Sequence, residues 1–580
     1  MNEVAIVRRA VPARSELSDD YHPVLKRVLG SRGVLDASGL DISLEGLHRT
    51  DSLSGVELAV ALLEAALVAR SRILIVADFD ADGATSCAVA MRALKSMGAD
   101  QVSYIVPNRF EYGYGLTPPI VELAVAQKPD LLITVDNGIS SLEGVAAARR
   151  AGIDVLITDH HLPGAEMPDA NAIVNPNVPG DQFPSKSLAG VGVIFYVMLA
   201  LRKRLRQRDW FTEQGLKDTN LAALLDLVAL GTVADVVPLD QNNRRLVAQG
   251  LARIRAGRSQ AGIKALLKIA GREPQRLGSL DLAFAVAPRL NAAGRLADMS
   301  LGIECLISDN ESDCDRIAIA LDKLNQERRE IESEMKAQAL ASVDDMQLGD
   351  SAELPSGLCL HDELWHQGVV GIIASRIKER YHRPVIAFAP VGGDELKGSG
   401  RSIAGVHLRD ALDAIAAQNP GLLDKFGGHA MAAGLTLPAS AFNRFSTEFD
   451  REIKRQLGSE GIKPEIVTDG ELQAEDFTLG LAETLADAAP WGQQFPEPLF
   501  DGPFKVLDRR VVGDTHLRLQ LQPFHATIEV NAIAFGAADE PWAKAGDAIH
   551  AAYRLSVNDY RGTRSLQMII EYAHAIDVEI

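Results

Sequence analysis

Residues 73–83 read Ile-Leu-Ile-Val-Ala-Asp78-Phe-Asp80-Ala-Asp82-Gly, an apolar strand that runs straight into three carboxylates at period two and then into a helical pattern. Three acids crowded on a strand-to-helix turn repel one another. The stable relief is a hard divalent cation held by oxygen ligands. A solvated acidic turn would read the same way, and short motifs have many chance matches. The remainder of the chain decides between the two.

The next strand-like run, Asp130-Leu-Leu-Ile-Thr-Val135, ends on Asp136-Asn137-Gly138, and the one after it, Ile153-Asp-Val-Leu-Ile-Thr158, ends on Asp159-His160-His161. A helix-length apolar run from Leu224 then ends on Asp235-Val-Val-Pro238. From Ser54 a helix pattern (Val56, Leu58, Ala59, Leu62, Leu63, Ala66) leads into alternating strand and helix units, which predicts an α/β fold with a parallel sheet. In such sheets the loops at the strand ends gather at one crevice, so carboxylates and imidazoles placed there converge. Singly, Asp136 could serve a turn and Asp159 or Asp235 a helix cap. Four such accidents in one order are much less credible than one site.

The ordered set Asp78-Phe-Asp-Ala-Asp-Gly83, Val135-Asp-Asn-Gly138, Asp159-His-His161 and Ala234-Asp-Val-Val-Pro238 resembles the DHH phosphoesterase superfamily, and within it the exonucleases specific for single-stranded DNA. The likeness runs from about residue 50 to the C-terminus. It implies a two-metal hydrolase using Mn²⁺ or Mg²⁺, with Asp80, Asp82, Asp136, His160 and Asp235 as ligands and Asp136 bridging both ions. Smaller relatives carry a histidine four residues before the first ligand aspartate; this chain has Val76 there and offers Asp78 instead. The residue types suit the chemistry. Two cations about 3.5 to 4 Å apart can activate a water, neutralise a phosphate and stabilise the leaving oxygen. Mixed oxygen and imidazole ligation favours Mn²⁺ over Ca²⁺, and a cluster without cysteine disfavours a structural zinc. Asp136 and His161 are the candidate catalytic residues. His161 either contacts the scissile phosphate or holds a ligand by a hydrogen bond.

Farther along stand His366-Gln-Gly-Val-Val-Gly371, Gly398-Ser399-Gly400-Arg401-Ser402 and Phe426-Gly-Gly-His429. Backbone amides bared by glycine, beside serine and an arginine fork, favour anions; tight turns and helix packing are the commoner use of such glycines. The stretch resembles the DHH-associated domain, whose Gly-Gly-His motif closes over substrate. By that resemblance Ser399, Gly400 and Arg401 bind a terminal phosphate, His429 faces the cleft, and Arg109 is a third member of the pocket or else a surface arginine. Pro288-Arg289-Leu-Asn291-Ala-Ala-Gly294-Arg295 reads as a helix-breaking loop. Its Arg289, Asn291 and Arg295 suit a grip on a DNA backbone, although a buried ion pair would use the same arginines.

The predicted organisation is an N-terminal extension (1–50), a catalytic α/β region with a helical part (51–310), a long connecting helix (311–345), a second α/β region (346–460) and a small antiparallel β-barrel (465–580). Family likeness makes the barrel an oligonucleotide-binding fold. Arg509, Arg510, Arg518, Tyr553, Arg554, Tyr560, Arg561 and Arg564 would supply charge and rings for a single-strand groove, or the barrel docks a protein. With 59 Lys and Arg against 78 Asp and Glu, the net charge of −19 excludes a chain that coats nucleic acid over its whole surface. Any DNA contact is therefore a local basic groove.

Four cysteines without CxxC spacing indicate buried thiols of a reducing cytosol. No secretory or membrane-spanning segment is evident, which predicts a soluble cytoplasmic protein without a membrane partner. The expected activity is 5′-to-3′ exonucleolytic hydrolysis of single-stranded DNA in recombination and repair, with a single-strand-binding protein and a helicase as implied partners. Polarity and the choice of DNA rest on the resemblance alone. The alternatives are a phosphoesterase for short oligonucleotides or small phosphate compounds, and a non-catalytic DNA scaffold, which the full ligand set argues against.

Overall fold

The computed structural model describes residues 4–12, 16–108, 111–348, 354–423, 425–458, 464–524, 526–544, 546–560 and 562–577. They form two compact units, one holding Ile6–Asp322 together with the chain from Ile466 onward, the other built around Lys323–Glu465.

The larger unit begins with a short strand, β1 (Ala5–Arg8), followed by five strands of one sheet: β2 (Ile73–Ala77), β3 (Val102–Ile105), β4 (Leu131–Val135), β5 (Asp154–Thr158) and β6 (Ala172–Val174). They lie in the order β3-β2-β4-β5-β6, every neighbouring pair parallel, as the alternation predicts. Every side chain of β2 and β4 is buried, which explains why these strands are apolar runs rather than alternating patterns. Register then places the site. Ala77 stands beside Val135, and Val135 beside Thr158, so the chain leaves three adjacent strands at one level and the next residues are Asp78, Asp136 and Asp159. The path runs from β2 out to β3 and returns on the other side of β2 as β4. That reversal is the topological switch point where α/β sheets open a crevice.

Helices Ala81–Ser96, Gly190–Gln207 and Leu225–Ala234 pack together at this sheet. The last is apolar but for Asp226 and Thr232, and Leu225 through Val233 are all buried, as such a helix must be. Residues 287–296 correct the sequence reading: they form a helix, Ala287–Leu296, entered through a π-helical turn, Leu282–Val286, and not a loop. Pro288 stands just past the π-helical turn inside one continuous helical run, Ser279–Leu296, where the widened turn accommodates a residue that has no N–H to donate.

In the smaller unit β7 (Leu358–His361), β8 (Val385–Pro390), β9 (Glu395–Arg401), β10 (Lys425–Gly428) and β11 (Ala432–Pro438) form a mixed sheet in the order β10-β11-β9-β8-β7. Only β7 and β8 run parallel. Its core joins Phe388, Phe445, Phe449 and Leu412. A single helix, Glu311–Leu348, carries the chain into this unit, uninterrupted by glycine or proline over 38 residues.

Beyond β12 (Glu465–Thr468), which pairs with β1, the chain forms β13 (Phe500–Val512), β14 (His516–Pro523), β15 (Val530–Ala534), β16 (Ala548–Tyr560) and β17 (Thr563–Ala575). These close as a barrel in the order β13-β14-β15-β17-β16. The expectation of a wholly antiparallel barrel is corrected at one seam, where β15 meets β17 in parallel. An odd number of strands cannot close with every neighbour antiparallel. The N-terminal residues are tied to the segment before the barrel and to its first strand: Arg32 pairs with Asp469 at 2.7 Å, both side chains buried, and Arg8 with Asp501 of β13 at 2.7 Å. All four cysteines are buried. Among the described residues no helix is long and apolar enough to cross a membrane.

Candidate metal centre

Asp80 caps helix Ala81–Ser96 by accepting from the N–H groups of Asp82 and Gly83, which bends the acidic run back over the end of β2. Asp82, in the first turn, is buried and accepts from the Gly190 and Val191 amides at 2.8 and 2.9 Å, the N-terminus of the next long helix. Asp136 follows β4 in the left-handed region, φ 62°, an unusual conformation for a non-glycine residue and one that recurs at functional sites. Its neighbour Asn137 donates from Nδ2 to the carbonyls of Val76 and Val135, spanning the crevice between β2 and β4. Gly190 must lack a side chain, because a Cβ there would fall 2.4 Å from Asp136 Oδ1.

His160 Nε2 approaches Asp136 Oδ1 at 3.2 Å and Asp235 Oδ2 at 3.4 Å. The two imidazoles sit 4.5 Å apart, tilted by 58°. His161 turns elsewhere: its Nδ1 lies 2.7 Å from Asp159 Oδ1. Asp159 is buried and also accepts from the amides of Ile139, His160 and His161. Tyr114 donates to the Asp136 carbonyl at 3.3 Å.

Three overlapping triads bring ligand atoms within 4.8 Å of one another: Asp136, His160 and His161; Asp82, His160 and Asp235; Asp78, Asp80 and Asp136. Every candidate metal residue of the sequence reading is thus gathered here. Burial, and then the neighbouring acids, push Asp82 up to about 7 and Asp136 and Asp235 well above the usual carboxylate range. Burial works against a charge on His161, yet the hydrogen bond to Asp159 and the surrounding acids lift it to about 9. The Asp136 Oδ1 atom is buried and, among the described residues, accepts no hydrogen bond, with His160 Nε2 standing 3.2 Å away. Such a set of acids is electrostatically unstable alone. Divalent cations are the fitting complement, and oxygen with imidazole donors suits Mn²⁺ and Mg²⁺ better than thiophilic metals.

Two substrate candidates are engaged in structure. Asn291 Oδ1 accepts from the Ala81 amide and so braces the acidic turn, while Arg289 is buried and pairs with Asp322 at 2.7 Å. Arg295 is half-buried on the last turn of the same helix. Arg109 and Arg561 lie outside the described residues.

In the smaller unit Ser399, Gly400 and Arg401 end β9. Arg401 reaches the Ser399 hydroxyl at 3.2 Å and the Gly400 carbonyl at 2.8 Å, and burial depresses its basicity. Gly371 makes the room: a Cβ there would sit 2.9 Å from Ser399 Oγ and 3.1 Å from the guanidinium. His429 is exposed beyond β10, its amide bonded to the Ala432 carbonyl.

The barrel residues divide. Tyr553 is wholly buried against Phe504 and Phe477, a core residue and not the groove ring expected of it. Arg554 pairs with Glu497 and Glu571, Arg564 with Glu483, and Arg509 donates to the Ala543 and Gly546 carbonyls. Arg510 and Arg518 are exposed and stand directly opposite one another across β13 and β14.

Asn137 and Tyr114 escaped the sequence reading. Asp159 was named there among the strand-end acids with a helix cap as its alternative, but its place as the partner of His161 Nδ1 was not. Nothing local marked Tyr114.

Three family models match the chain: the N-terminal domain of the DHH family over residues 72–232, the DHHA1 domain over 355–455 and the RecJ OB domain over 468–572. The single-stranded-DNA-specific exonuclease RecJ of Salmonella typhimurium is 52% identical, covering 97% of this chain and 98% of its own. That of Escherichia coli is 51% identical over 98% and 99%. Among solved structures, RecJ of Thermus thermophilus in complex with Mn²⁺ superposes with a TM-score of 0.81 at 29% identity, covering 99% of this chain and 80% of that one.

Proposed function

The chain belongs to the RecJ family of single-stranded-DNA-specific exonucleases, and from that membership we propose that it is a metal-dependent exonuclease hydrolysing phosphodiester bonds of single-stranded DNA from the 5′ end, in cytoplasmic recombination and repair. The observation that carries this reading is the convergence of Asp78, Asp80, Asp82, Asp136, His160 and Asp235, from four separate stretches of chain, into one buried acidic cluster.

These six residues would hold two ions, Mn²⁺ or Mg²⁺. Bound there, the ions supply an activated water and charge neutralisation at the phosphate. The protein's own groups do the rest. The amides of Gly190 and Val191 fix the Asp82 carboxylate, and Asn291 and Asn137 hold the two backbone turns that present Asp80, Asp82 and Asp136. With Nδ1 bound to Asp159, the His161 ring is fixed in orientation and Nε2 is left to contact the scissile phosphate. Asp136 and His161 are the catalytic residues in this reading. Ser399, Gly400 and Arg401 take the 5′-terminal phosphate, with His429 beside the substrate, since Arg401 is a buried guanidinium aimed at a hydroxyl and a carbonyl. Arg510 and Arg518 offer the barrel's cationic contact to the strand. A single-strand-binding protein and a helicase are the working partners that the family resemblance implies.

Single strands labelled at one or the other end, incubated with Mn²⁺, with Mg²⁺ and with chelator, test the reading. Release of the 5′ label first, abolished by chelator, is the expected result. Persistence of hydrolysis in chelator, or first release of the 3′ label, would overturn the metal assignment or the polarity respectively.

A further inference from the structure

Tyr114 stands in the loop after β3, far in sequence from the acidic run and the histidine pair, yet it touches both. Its hydroxyl oxygen lies 3.3 Å from the Asp136 carbonyl and 3.3 Å from each ring nitrogen of His161. The phenol ring meets the His161 ring edge-on at 5.7 Å and the Phe79 ring edge-on at 5.9 Å. Half of the residue's surface is exposed, so it borders the acidic site without filling a core.

A tyrosine hydroxyl carries one proton and two lone pairs. Donation to the Asp136 carbonyl leaves an oxygen lone pair for His161, whose Nδ1 is already taken by Asp159 at 2.7 Å. His161 is thereby held by a carboxylate at Nδ1 and by the tyrosine oxygen, which stands equally far from the two ring nitrogens and so does not claim the Nε2 position for itself. The same oxygen bonds the carbonyl of Asp136, the residue in the left-handed conformation. One side chain thus couples the backbone of a candidate ligand to the imidazole beside it.

We propose that Tyr114 is a positioning residue for hydrolysis, holding the His161 imidazole in register with Asp136 so that its Nε2 edge meets the reacting phosphate. This rests on the exonuclease reading for the role of His161, but the contact itself does not.

The test is Tyr114→Phe, which keeps the ring and its packing. In the ¹⁵N-histidine-labelled, metal-free protein, the His161 resonance, identified by its loss in His161→Gln, should shift or broaden in Tyr114→Phe while the His160 resonance holds. On single-stranded DNA with Mn²⁺, kcat should fall about tenfold with KM changed less than about twofold. In the His161→Gln background Tyr114→Phe should cause no further loss of kcat. An unmoved His161 resonance, a loss confined to KM, or full additivity of the two substitutions would each overturn the assignment. A protein that degrades no single strand at all would sink the exonuclease reading instead, and the imidazole spectrum would still decide the contact.

Discussion

Asp136 meets two demands at once, a left-handed backbone that aims its carboxylate into the crevice and a buried oxygen with no hydrogen bond among the described residues. Both are costly without a cation. Asp136→Ala should therefore abolish hydrolysis while single-strand affinity stays within about threefold, since the barrel arginines and the Ser399–Arg401 turn are untouched. Filter binding and end-label release on the same preparation check this; parallel loss of both would mean that Asp136 holds the fold rather than the metal. Asp159→Asn keeps the size of the side chain but weakens the clamp on His161, and kcat should fall about 10- to 100-fold. Arg401→Ala should impair 5′-phosphorylated strands more than 5′-hydroxyl strands, and equal impairment would remove the phosphate pocket. At this scale the sequence was informative about ligands and silent about their supports. A carboxylate at a strand end advertises itself, whereas Asn137 and Tyr114 acquire their roles only from the backbone carbonyls that folding brings to them.

The elements differ in how far local pattern determined them. The continuous apolar run of β2 announced a strand buried on both faces, and the register with β4 and β5 followed from the parallel sheet. Residues 287–296 misled because proline was read as a break, when the π-helical turn just before it lets the helix run on. In the barrel, Tyr553 was assigned to a surface that its 13-residue strand turns inward. Among the described residues Arg510 and Arg518 are exposed on the barrel with like charges directly opposed, an arrangement that favours an anion between or upon them. Changing both to alanine should weaken single-strand binding and reduce the slope of log K against log salt by about 1.4, at about 0.7 for each phosphate left without its arginine. Titration of fluorescent oligonucleotide at several salt concentrations measures it, and an unchanged slope would place the DNA elsewhere on the molecule.

Across the whole molecule, stability should follow the ions and acid. A cation that binds the folded acidic cluster and not the unfolded chain stabilises by about 2.7 kcal/mol at a hundred times its Kd, so Mn²⁺ should raise the melting temperature and chelator lower it, with no Mn²⁺ effect in Asp136→Ala. A second linkage lies at the N-terminal tie. Burial opposes the charge of Asp501, but hydrogen bonds from His550, Arg8 and Thr468 hold its carboxyl well below the usual range. A folded value below the unfolded one gives stability that is present above about pH 4 and is lost as pH falls toward the folded value. Urea unfolding from pH 7 to 3 should show a steeper acid loss in the unaltered protein than in Asp501→Asn, and identical slopes would exclude this tie as the source.

The sequence by itself determined the strand-to-ligand order, the parallel sheet and the chemical type of the site, because burial and charge repulsion act on neighbours in the chain. Only the tertiary structure decided which groups brace the ligands and which arginines remain exposed, because hydrogen-bond partners such as Gly190 with Asp82, or Asp322 with Arg289, are distant in sequence and meet only when the helices pack.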